Sequence, residues 1–252
     1  MRVLLLGGST EASALAKLLA QDGRFETTLS LAGRTALPRA QPVATRTGGF
    51  GGVEGLARYL RRERIDVLVD ATHPFAAQMS RNAIEAAAAA RTPLLAVERP
   101  AWQPQPGDNW TLAPDMAAAV QAIGSAPRKV FSGIGSLALA ELQAAPQHTY
   151  VVRLIDLPKV PLALPDIVFV QACGPFTVED DIRLFREHGV EVVLAKNAGG
   201  DATVSKIEAA RALGLPVTMV QRPFIPPRPT VATAEEAMAW LAKCWNSTLE
   251  SR

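Results

Sequence analysis

Short runs of apolar, β-favouring residues alternate with longer segments rich in alanine, leucine and arginine along nearly the whole chain. In the first half, the predicted strands are Val3–Leu6, Thr27–Leu31, Val67–Asp70 and Leu94–Val97, and the predicted helices are Glu11–Ala20, Val53–Arg62 and Ala76–Ala90. Strands that alternate with helices run parallel, because right-handed crossovers place the helices on both faces of the sheet. The sequence therefore predicts a doubly wound α/β fold.

The alternation lapses once, in the proline-rich segment RPAWQPQPGDNWTLAP at Arg99–Pro114, which is the best candidate for a linker. It resumes with predicted strands at Lys129–Ser132, Tyr150–Leu154, Ile167–Gln171, Glu191–Lys196 and Val217–Gln221, and with predicted helices at Asp115–Ile123, Leu137–Gln143, Val178–His188, Val204–Leu213 and Ala234–Trp245. A chain of 252 residues is long enough for two domains. We place them at residues 1–112 and 113–252.

Composition narrows the function classes. The 26 basic and 24 acidic residues give a net charge of +2, which is too small to indicate a nucleic-acid partner. No apolar run approaches the roughly 18 residues of a membrane span, and Val3–Leu6, closely followed by Glu11, is too short for a secretory signal. The histidines and cysteines lack metal-ligand and disulfide spacings. We expect a cytoplasmic, metal-free protein without nucleic-acid or membrane partners.

The first predicted strand is followed by GGSTEA, at the sheet edge where such folds bind ligands. Gly7 and Gly8 permit close backbone approach, and Ser9 and Thr10 precede a helix N-terminus that attracts anions. The segment departs from G-x-G-x-x-G and lacks the Gly-Lys-Ser/Thr of a P-loop. A tight turn with a serine or threonine N-cap, and with Glu11 favouring the helix dipole, therefore stays an equal alternative to a phosphate site.

The segment LSLAGRT places Arg34 near the position that reads the adenosine ribose in dinucleotide-binding folds. An arginine there suits the 2′-phosphate of NADP, whereas an acid would favour NAD. The alternative is a solvated surface arginine.

Two further loops follow strands of the first half. TGGFGG at Thr47–Gly52 contains four glycines, which indicates either backbone N–H groups exposed to a ligand or a mobile lid. DATHPFAAQ places Thr72 and His73 above the sheet, where the histidine either contacts a ligand or is structural.

The second half offers SGIGS from Ser132, a strand end at Lys196 followed by NAGG, and basic side chains at Arg153, Lys206 and Arg222. Lys196 could meet a carboxylate or polarise a reacting group, and its alternative is a solvated strand end. Asp180 and Asp181 are adjacent carboxylates that fit the first turn of a helix. No G-x-S-x-G nucleophile elbow is present.

In chain order, LLLGGSTEA, TGGFGG, DATHPFA, ERPAW, SGIGS, GPF and KNAGG, followed by SKIEAARALGLPV and QRP, resemble the precorrin-6A reductases of cobalamin biosynthesis. The resemblance extends over Arg2–Pro223. It implies two Rossmann-like domains with NADPH in the cleft between them, and reduction of one double bond of the precorrin-6A macrocycle to give precorrin-6B. Ala198 departs from the serine expected in relatives, which puts a hydroxyl role there in doubt.

The resemblance also implies roles for individual residues. Cofactor binding is expected at Gly7, Gly8, Ser9, Thr10, Glu11, Arg34, Gly48, Gly49, Thr72 and His73. The loops Ser132–Ser136, Gly174–Phe176 and Lys196–Gly200 are expected to face the nicotinamide and the macrocycle. Since precorrins carry acetate and propionate arms, we expect Ser132, Arg153, Lys206 and Arg222 to bind substrate, with Arg99 nearby. Lys196, His73 or solvent would supply the proton.

Two other functions are weighed against this reductase. A methyltransferase of the same pathway would use S-adenosylmethionine, but an acid would then be expected where Arg34 stands. A non-catalytic nucleotide-sensing module is disfavoured by the second predicted domain and its basic loops. The expected partner is an anionic tetrapyrrole substrate, and the expected assembly is a monomer with at most transient contacts to neighbouring pathway enzymes.

Overall fold

The computed structural model describes residues 1–33, 40–158 and 160–250, without the side chains of residues 248–250. The described residues form two parallel sheets of six strands each. The strands are β1 (Arg2–Leu6), β2 (Glu26–Leu31), β3 (Ala44–Thr47), β4 (Val67–Asp70), β5 (Leu94–Val97), β6 (Trp110–Ala113), β7 (Lys129–Ser132), β8 (Thr149–Leu154), β9 (Ile167–Gln171), β10 (Val192–Lys196), β11 (Val217–Val220) and β12 (Thr230–Val231). The predicted α/β fold with two Rossmann-like units is confirmed.

The helices lie between these strands in the chain, except for α7, which follows β12. They are α1 (Thr10–Ala20), α2 (Gly52–Arg62), α3 (Ala77–Ala90), α4 (Met116–Ala122), α5 (Val178–His188), α6 (Ser205–Ala212) and α7 (Ala234–Glu250), with 3₁₀ segments at Ser136–Ala144 and Asp201–Thr203. No helix in the described ranges is both long and apolar enough to cross a membrane.

The first sheet has the strand order β12-β5-β4-β1-β2-β3. Side chains of β1 alternate between its faces, as the period of a strand requires. Val3 and Leu5 pack with α1 and α7, whereas Leu4 and Leu6 pack with α2 and α3. Helices cover both faces, which explains why β1 is apolar at four successive positions.

The second sheet has the order β6-β11-β10-β7-β8-β9. In the first sheet, β2 and β3 follow β1 on one side before β4 and β5 form on the other. In the second sheet, β8 and β9 follow β7 on one side before β10 and β11 form on the other, and β6 lies at the outer edge beside β11. The strand order therefore reverses between β1 and β4 in the first sheet and between β7 and β10 in the second. Folds of this kind bind ligands beyond the carboxyl ends of the strands at such a reversal.

The observed units differ from the predicted division at residue 112. Met1–Pro100 and residues 224–250 form the first unit, and Ala101–Pro223 forms the second. Two strands that the sequence did not predict account for the difference. β6, inside the predicted linker, pairs with β11, and β12 pairs with β5 before α7 packs against α1.

Candidate functional site

The turn between β1 and α1 lies at the reversal point of the first sheet. Ser9 is the N-cap of α1: its hydroxyl accepts the Ala12 N–H at 3.0 Å and donates to the Ala71 carbonyl at 2.7 Å. The N-cap interpretation of this turn is thus confirmed for Ser9. The second bond joins this turn to the one that follows β4, so both turns form a single surface.

Gly7 and Gly8 are glycines for different reasons. A Cβ on Gly7 would lie 2.5 Å from Leu29 Cδ1, so packing alone disfavours a side chain. Gly8 has a φ of +114°, and no described atom lies within 4 Å of the place its Cβ would take. The turn therefore leaves open space beside Gly8, two residues before the first residue of α1.

Glu11 faces a compensating cation within the same unit. The Arg99 guanidinium donates to Glu11 Oε2 at 2.5 Å, and Thr10 Oγ1 donates to Oε1 at 3.0 Å. Burial alone would raise the pKa of Glu11, but its backbone N–H, Arg99 and Thr10 outweigh burial, and the pKa lies below its ordinary value. Glu11 is therefore a carboxylate whose charge Arg99 balances, which limits its repulsion of an anionic ligand.

The turn after β4 is held by Asp70, which is 3% exposed. Asp70 Oδ1 accepts the Thr72 hydroxyl at 2.7 Å and the Thr72 N–H at 3.2 Å. His73 is half-buried, and its Nδ1 accepts the Phe75 N–H at 3.2 Å. In the neutral imidazole the proton consequently resides on Nε2, which makes that nitrogen the donor.

The glycine loop at Thr47–Gly52 is organised by Arg46, a residue that the sequence analysis missed. The Arg46 guanidinium donates to the carbonyl oxygens of Gly48 and Gly49 at 3.0 and 3.2 Å, and its Cζ lies 4.0 Å from the centroid of the Phe50 ring. These contacts fix the first half of the loop, which argues against a wholly mobile lid.

Open space adjoins the glycines of this loop. No described atom lies within 4 Å of the Cβ position of Gly48, Gly49, Gly51 or Gly52. Gly51 precedes α2 and offers no side-chain cap to its first turn. The N–H groups of that turn therefore lack the side-chain partner that Ser9 provides in α1.

Arg34, predicted to contact a 2′-phosphate, lies outside the described residues. The chain is described up to Gly33, whose φ is +75° and whose Cβ position is 2.8 Å from Thr47 Cγ2. The end of β2 is therefore packed closely against the end of β3.

Several residues predicted to bind substrate are buried in the second unit. Ser132 and Lys206 are 0% and 4% exposed. Lys206 Nζ donates to the Thr203 carbonyl at 2.5 Å and lies 4.9 Å from the Trp102 ring centroid. Lys196 ends β10, directly at the reversal point, and is half-buried.

Arg153 is part of a buried ion pair. Its guanidinium bonds to Asp181, and the two side chains are 8% and 0% exposed. Ser205 Oγ donates to the other Asp181 oxygen at 2.6 Å, and the Phe176 ring centroid lies 3.6 Å from Arg153 Cζ. These contacts give Arg153 a structural role in holding the loop after β9, and its predicted contact with substrate stays a prediction.

Arg222 and Asn197 fix the loop after β10. Arg222 donates to the carbonyl oxygens of Asn197 and Ala198, both at 3.0 Å. The Asn197 amide pairs with both backbone polar groups of Trp102, at 2.8 and 3.0 Å, and the Trp102 indole donates to Gly200 at 2.9 Å. Asn197 lies within the predicted loop Lys196–Gly200, but no individual role was predicted for it, although its place after a reversal-point strand was a usable signal.

Each unit thus gathers predicted residues at the carboxyl edge of its own sheet. The first unit brings together the turns after β1 and β4. Its glycine loop follows β3, the outermost strand on one side of the same sheet. The second unit brings together the loops after β7 and β10, where Ser132 and Lys196 end neighbouring strands. The first of these surfaces offers open backbone and helix N-termini, which suit a phosphate-bearing ligand.

Comparison with known proteins agrees with this arrangement. Residues 2–242 match the family model described as Precorrin-6x reductase CbiJ/CobK. A precorrin-6A reductase from Rhodobacter capsulatus is 54% identical over 241 residues, covering 96% of each chain. Another, from Sinorhizobium sp, is 49% identical over 245 residues, covering 96% of this chain and 94% of the relative.

A solved structure, that of a CobK precorrin-6A reductase, is also closely similar. It superimposes with a TM-score of 0.93 at 54% identity, and the match covers 97% of both chains. These findings support the reductase hypothesis and not the methyltransferase alternative. The chain therefore belongs to the precorrin-6A reductase family.

Proposed function

We propose that this chain reduces one double bond of precorrin-6A with a hydride from NADPH, giving precorrin-6B in cobalamin biosynthesis. The observation that carries the proposal is the family match over nearly the whole length. Reductases of this kind use a nicotinamide cofactor, and the choice of NADPH over NADH is the finer part of the proposal. The proposed setting is the cytoplasm.

The first unit fits a dinucleotide on structural grounds. No described atom lies near the Cβ positions of Gly8, Gly48 and Gly49, so a ligand has room to approach the protein backbone at these glycines. In the proposal, the turn from Gly7 to Glu11 holds the pyrophosphate, with α1 directing its N-terminus towards it. Compensation of Glu11 by Arg99 keeps this turn from repelling the phosphates.

The remaining first-unit residues would hold the rest of the cofactor. Arg34 would meet the 2′-phosphate, and Gly48, Gly49 and Thr72 would line its path. His73 would present Nε2–H near the nicotinamide end, because Nδ1 is occupied by the Phe75 amide.

Bound NADPH would supply the hydride, so the task of the protein is to orient donor and acceptor and to exclude water. Lys196 and His73 are the proposed sources of the proton that completes the reduction. Lys196 ends a strand at the reversal point of the second sheet, the edge at which we propose that the macrocycle binds.

The substrate contacts at Ser132, Arg153, Lys206 and Arg222 are proposed with a structural qualification. The described polar contacts of the last three are made within the second unit. Their first effect is therefore to shape the loops after β9 and β10. Direct contact with a carboxylate arm would add to, rather than replace, those bonds.

The decisive experiment incubates the purified protein anaerobically with precorrin-6A and NADPH, NADH or S-adenosylmethionine in separate reactions, and follows nicotinamide oxidation and the product mass. We expect an increase of two hydrogens in the tetrapyrrole and a preference for NADPH that Arg34→Ala diminishes. A tetrapyrrole that gains a methyl group from S-adenosylmethionine instead, or no turnover with either nicotinamide, would contradict the proposal.

The proton source needs a separate test. Lys196→Ala should bind NADPH normally but lose most of its turnover if Lys196 lies at the reacting carbon. Full turnover in this variant would remove Lys196 from the mechanism, and His73→Gln would then be compared in the same assay.

A further inference from the structure

The position of Arg46 in the first sheet makes it relevant to cofactor choice. Arg46 lies on β3 directly beside Ser30 of β2, in parallel register, one residue before the end of its strand. Its Nη1 donates to Ser30 Oγ at 2.7 Å. The carboxyl end of β2 is where dinucleotide-binding folds read the adenosine ribose. The Arg46 guanidinium is therefore fixed at the ribose-reading end of the sheet.

Arg46 differs in its partners from Arg99 and Arg228, two other arginines of this unit. Arg99 pairs with Glu11, and Arg228 pairs with Glu98 at 2.9 Å. The described partners of Arg46 are instead neutral: a hydroxyl, two backbone carbonyls and the rings of Phe50 and Tyr59. Neutral acceptors hold the guanidinium in place without cancelling its positive charge.

Aromatic stacking further immobilises this charge. Arg46 Cζ lies 4.0 Å from the Phe50 ring centroid and 5.3 Å from that of Tyr59, and the two rings meet edge to face at 5.2 Å. A cation that is already ordered loses little conformational entropy when an anion binds beside it.

We infer that Arg46 is a specificity-determining residue that favours NADPH over NADH by placing a fixed positive charge at the 2′-phosphate. The inference rests on the proposed function, since it presupposes a nicotinamide dinucleotide on the first unit. It assigns two tasks to one side chain: the guanidinium orders the glycine loop, and its charge attracts the phosphate.

The test measures binding of NADPH, NADH, adenosine 2′,5′-bisphosphate and 5′-AMP by isothermal titration, which requires no turnover. Arg46→Gln removes the charge and keeps a hydrogen-bonding side chain, whereas Arg46→Lys keeps the charge and loses the planar fork. Arg24→Gln is the matched control: Arg24 also lies over an aromatic ring, that of Phe25, but it precedes β2 and therefore lies at the opposite edge of the sheet. Circular dichroism verifies that each variant is folded.

Arg46→Gln should lower the affinity for NADPH and for adenosine 2′,5′-bisphosphate about tenfold or more, as expected for loss of a charge-assisted contact. Affinity for NADH and 5′-AMP should fall by about tenfold less, because loss of loop order affects both ligands of each pair whereas loss of the charge affects only the one with a 2′-phosphate. Arg46→Lys should keep most of the preference for NADPH, and Arg24→Gln should match the wild type. Equal weakening of NADPH and NADH by Arg46→Gln would show a loop-ordering role alone and overturn the inference.

Failure of the inference and failure of the proposed function are distinguishable. A wild type that binds NADPH and NADH equally overturns the cofactor assignment itself. A wild type that prefers NADPH, with a preference that survives Arg46→Gln, overturns only the role of Arg46.

Discussion

Replacing Asp181 with alanine should destabilise the second unit by about 3–5 kcal/mol, the usual cost of removing one partner of a buried ion pair. Asp181 is fully buried in the first turn of α5, and the Arg153 side chain that pairs with it is 8% exposed. After the substitution, the Arg153 guanidinium would lose its carboxylate in a place that water scarcely reaches. Ser205 would also lose the acceptor of its 2.6 Å hydrogen bond.

The contributions can be separated with three further variants. Ser205→Ala removes one hydrogen bond to a charged group and should cost about 1.5–3 kcal/mol. Arg153→Met leaves Asp181 unpaired and should cost about as much as Asp181→Ala. In the double variant neither charge is left unpaired, so its cost should fall at least about 2 kcal/mol below the sum of the two single costs.

The assay is urea unfolding followed by tryptophan fluorescence. Trp102 and Trp110 lie in the second unit, whereas Trp240 and Trp245 lie in the first. A background with Trp240→Phe and Trp245→Phe therefore makes the signal specific to the unit that carries Asp181. Midpoints and slopes give the free energy of unfolding for each variant.

Asp180→Ala is the matched control for this prediction. Asp180 precedes Asp181 on the same helix, but it pairs with Arg183 at the surface, where both side chains are about half exposed or more. Exposed pairs of this kind contribute little. If Asp181→Ala lowers the stability no more than Asp180→Ala does, or if the two single costs simply add in the double variant, the buried pair does not hold this unit together.

Two further predictions concern stability. Gly7 lies in the first unit, so its variants are measured with Trp240 and Trp245 retained, whereas His148 lies in the second unit and is tested in the background described above. Gly7→Ala should lower the free energy of unfolding by about 1–3 kcal/mol and weaken NADPH binding, because its Cβ would lie 2.5 Å from Leu29 Cδ1. Gly23→Ala is the control: no described atom lies within 4 Å of its Cβ position, so neither quantity should change. Burial lowers the pKa of His148, and this effect outweighs the hydrogen bond to the Gly124 carbonyl, which raises it. The folded protein therefore binds fewer protons than the unfolded chain below about pH 6.5. Stability should therefore fall as the pH drops through that value, by at most about 1.4 kcal/mol per pH unit, and His148→Asn should flatten the decline in urea titrations at pH 5.5–7.5.

The sequence was sufficient to predict most regular elements, because their stabilisation is local or periodic. Val67–Asp70, Leu94–Val97 and the helix Val178–His188 have the predicted bounds. α5 carries its signals within its own sequence: a threonine N-cap, acids in its first turn and Gly189 at its end.

The unpredicted strands depend on partners that are distant in the chain. β6 lies among prolines and is stabilised by pairing with β11, about a hundred residues later. β12 has only two residues and pairs with β5, far earlier in the chain. A short strand without periodicity becomes visible only through its neighbour, which explains why the predicted division at residue 112 differs from the observed units.

The same reasoning explains why the chemistry of the arginines could not be predicted from their positions alone. Arg153 and Arg46 both precede loops at strand ends, and both are stacked on aromatic rings. Arg153 meets a buried carboxylate from a helix that begins 25 residues later, so its charge is compensated within the fold. The described partners of Arg46 are neutral, so no described carboxylate compensates its charge, as the proposed contact with a 2′-phosphate requires. Whether a strand-end arginine meets an acidic partner within the fold is therefore set by tertiary packing rather than by the local sequence.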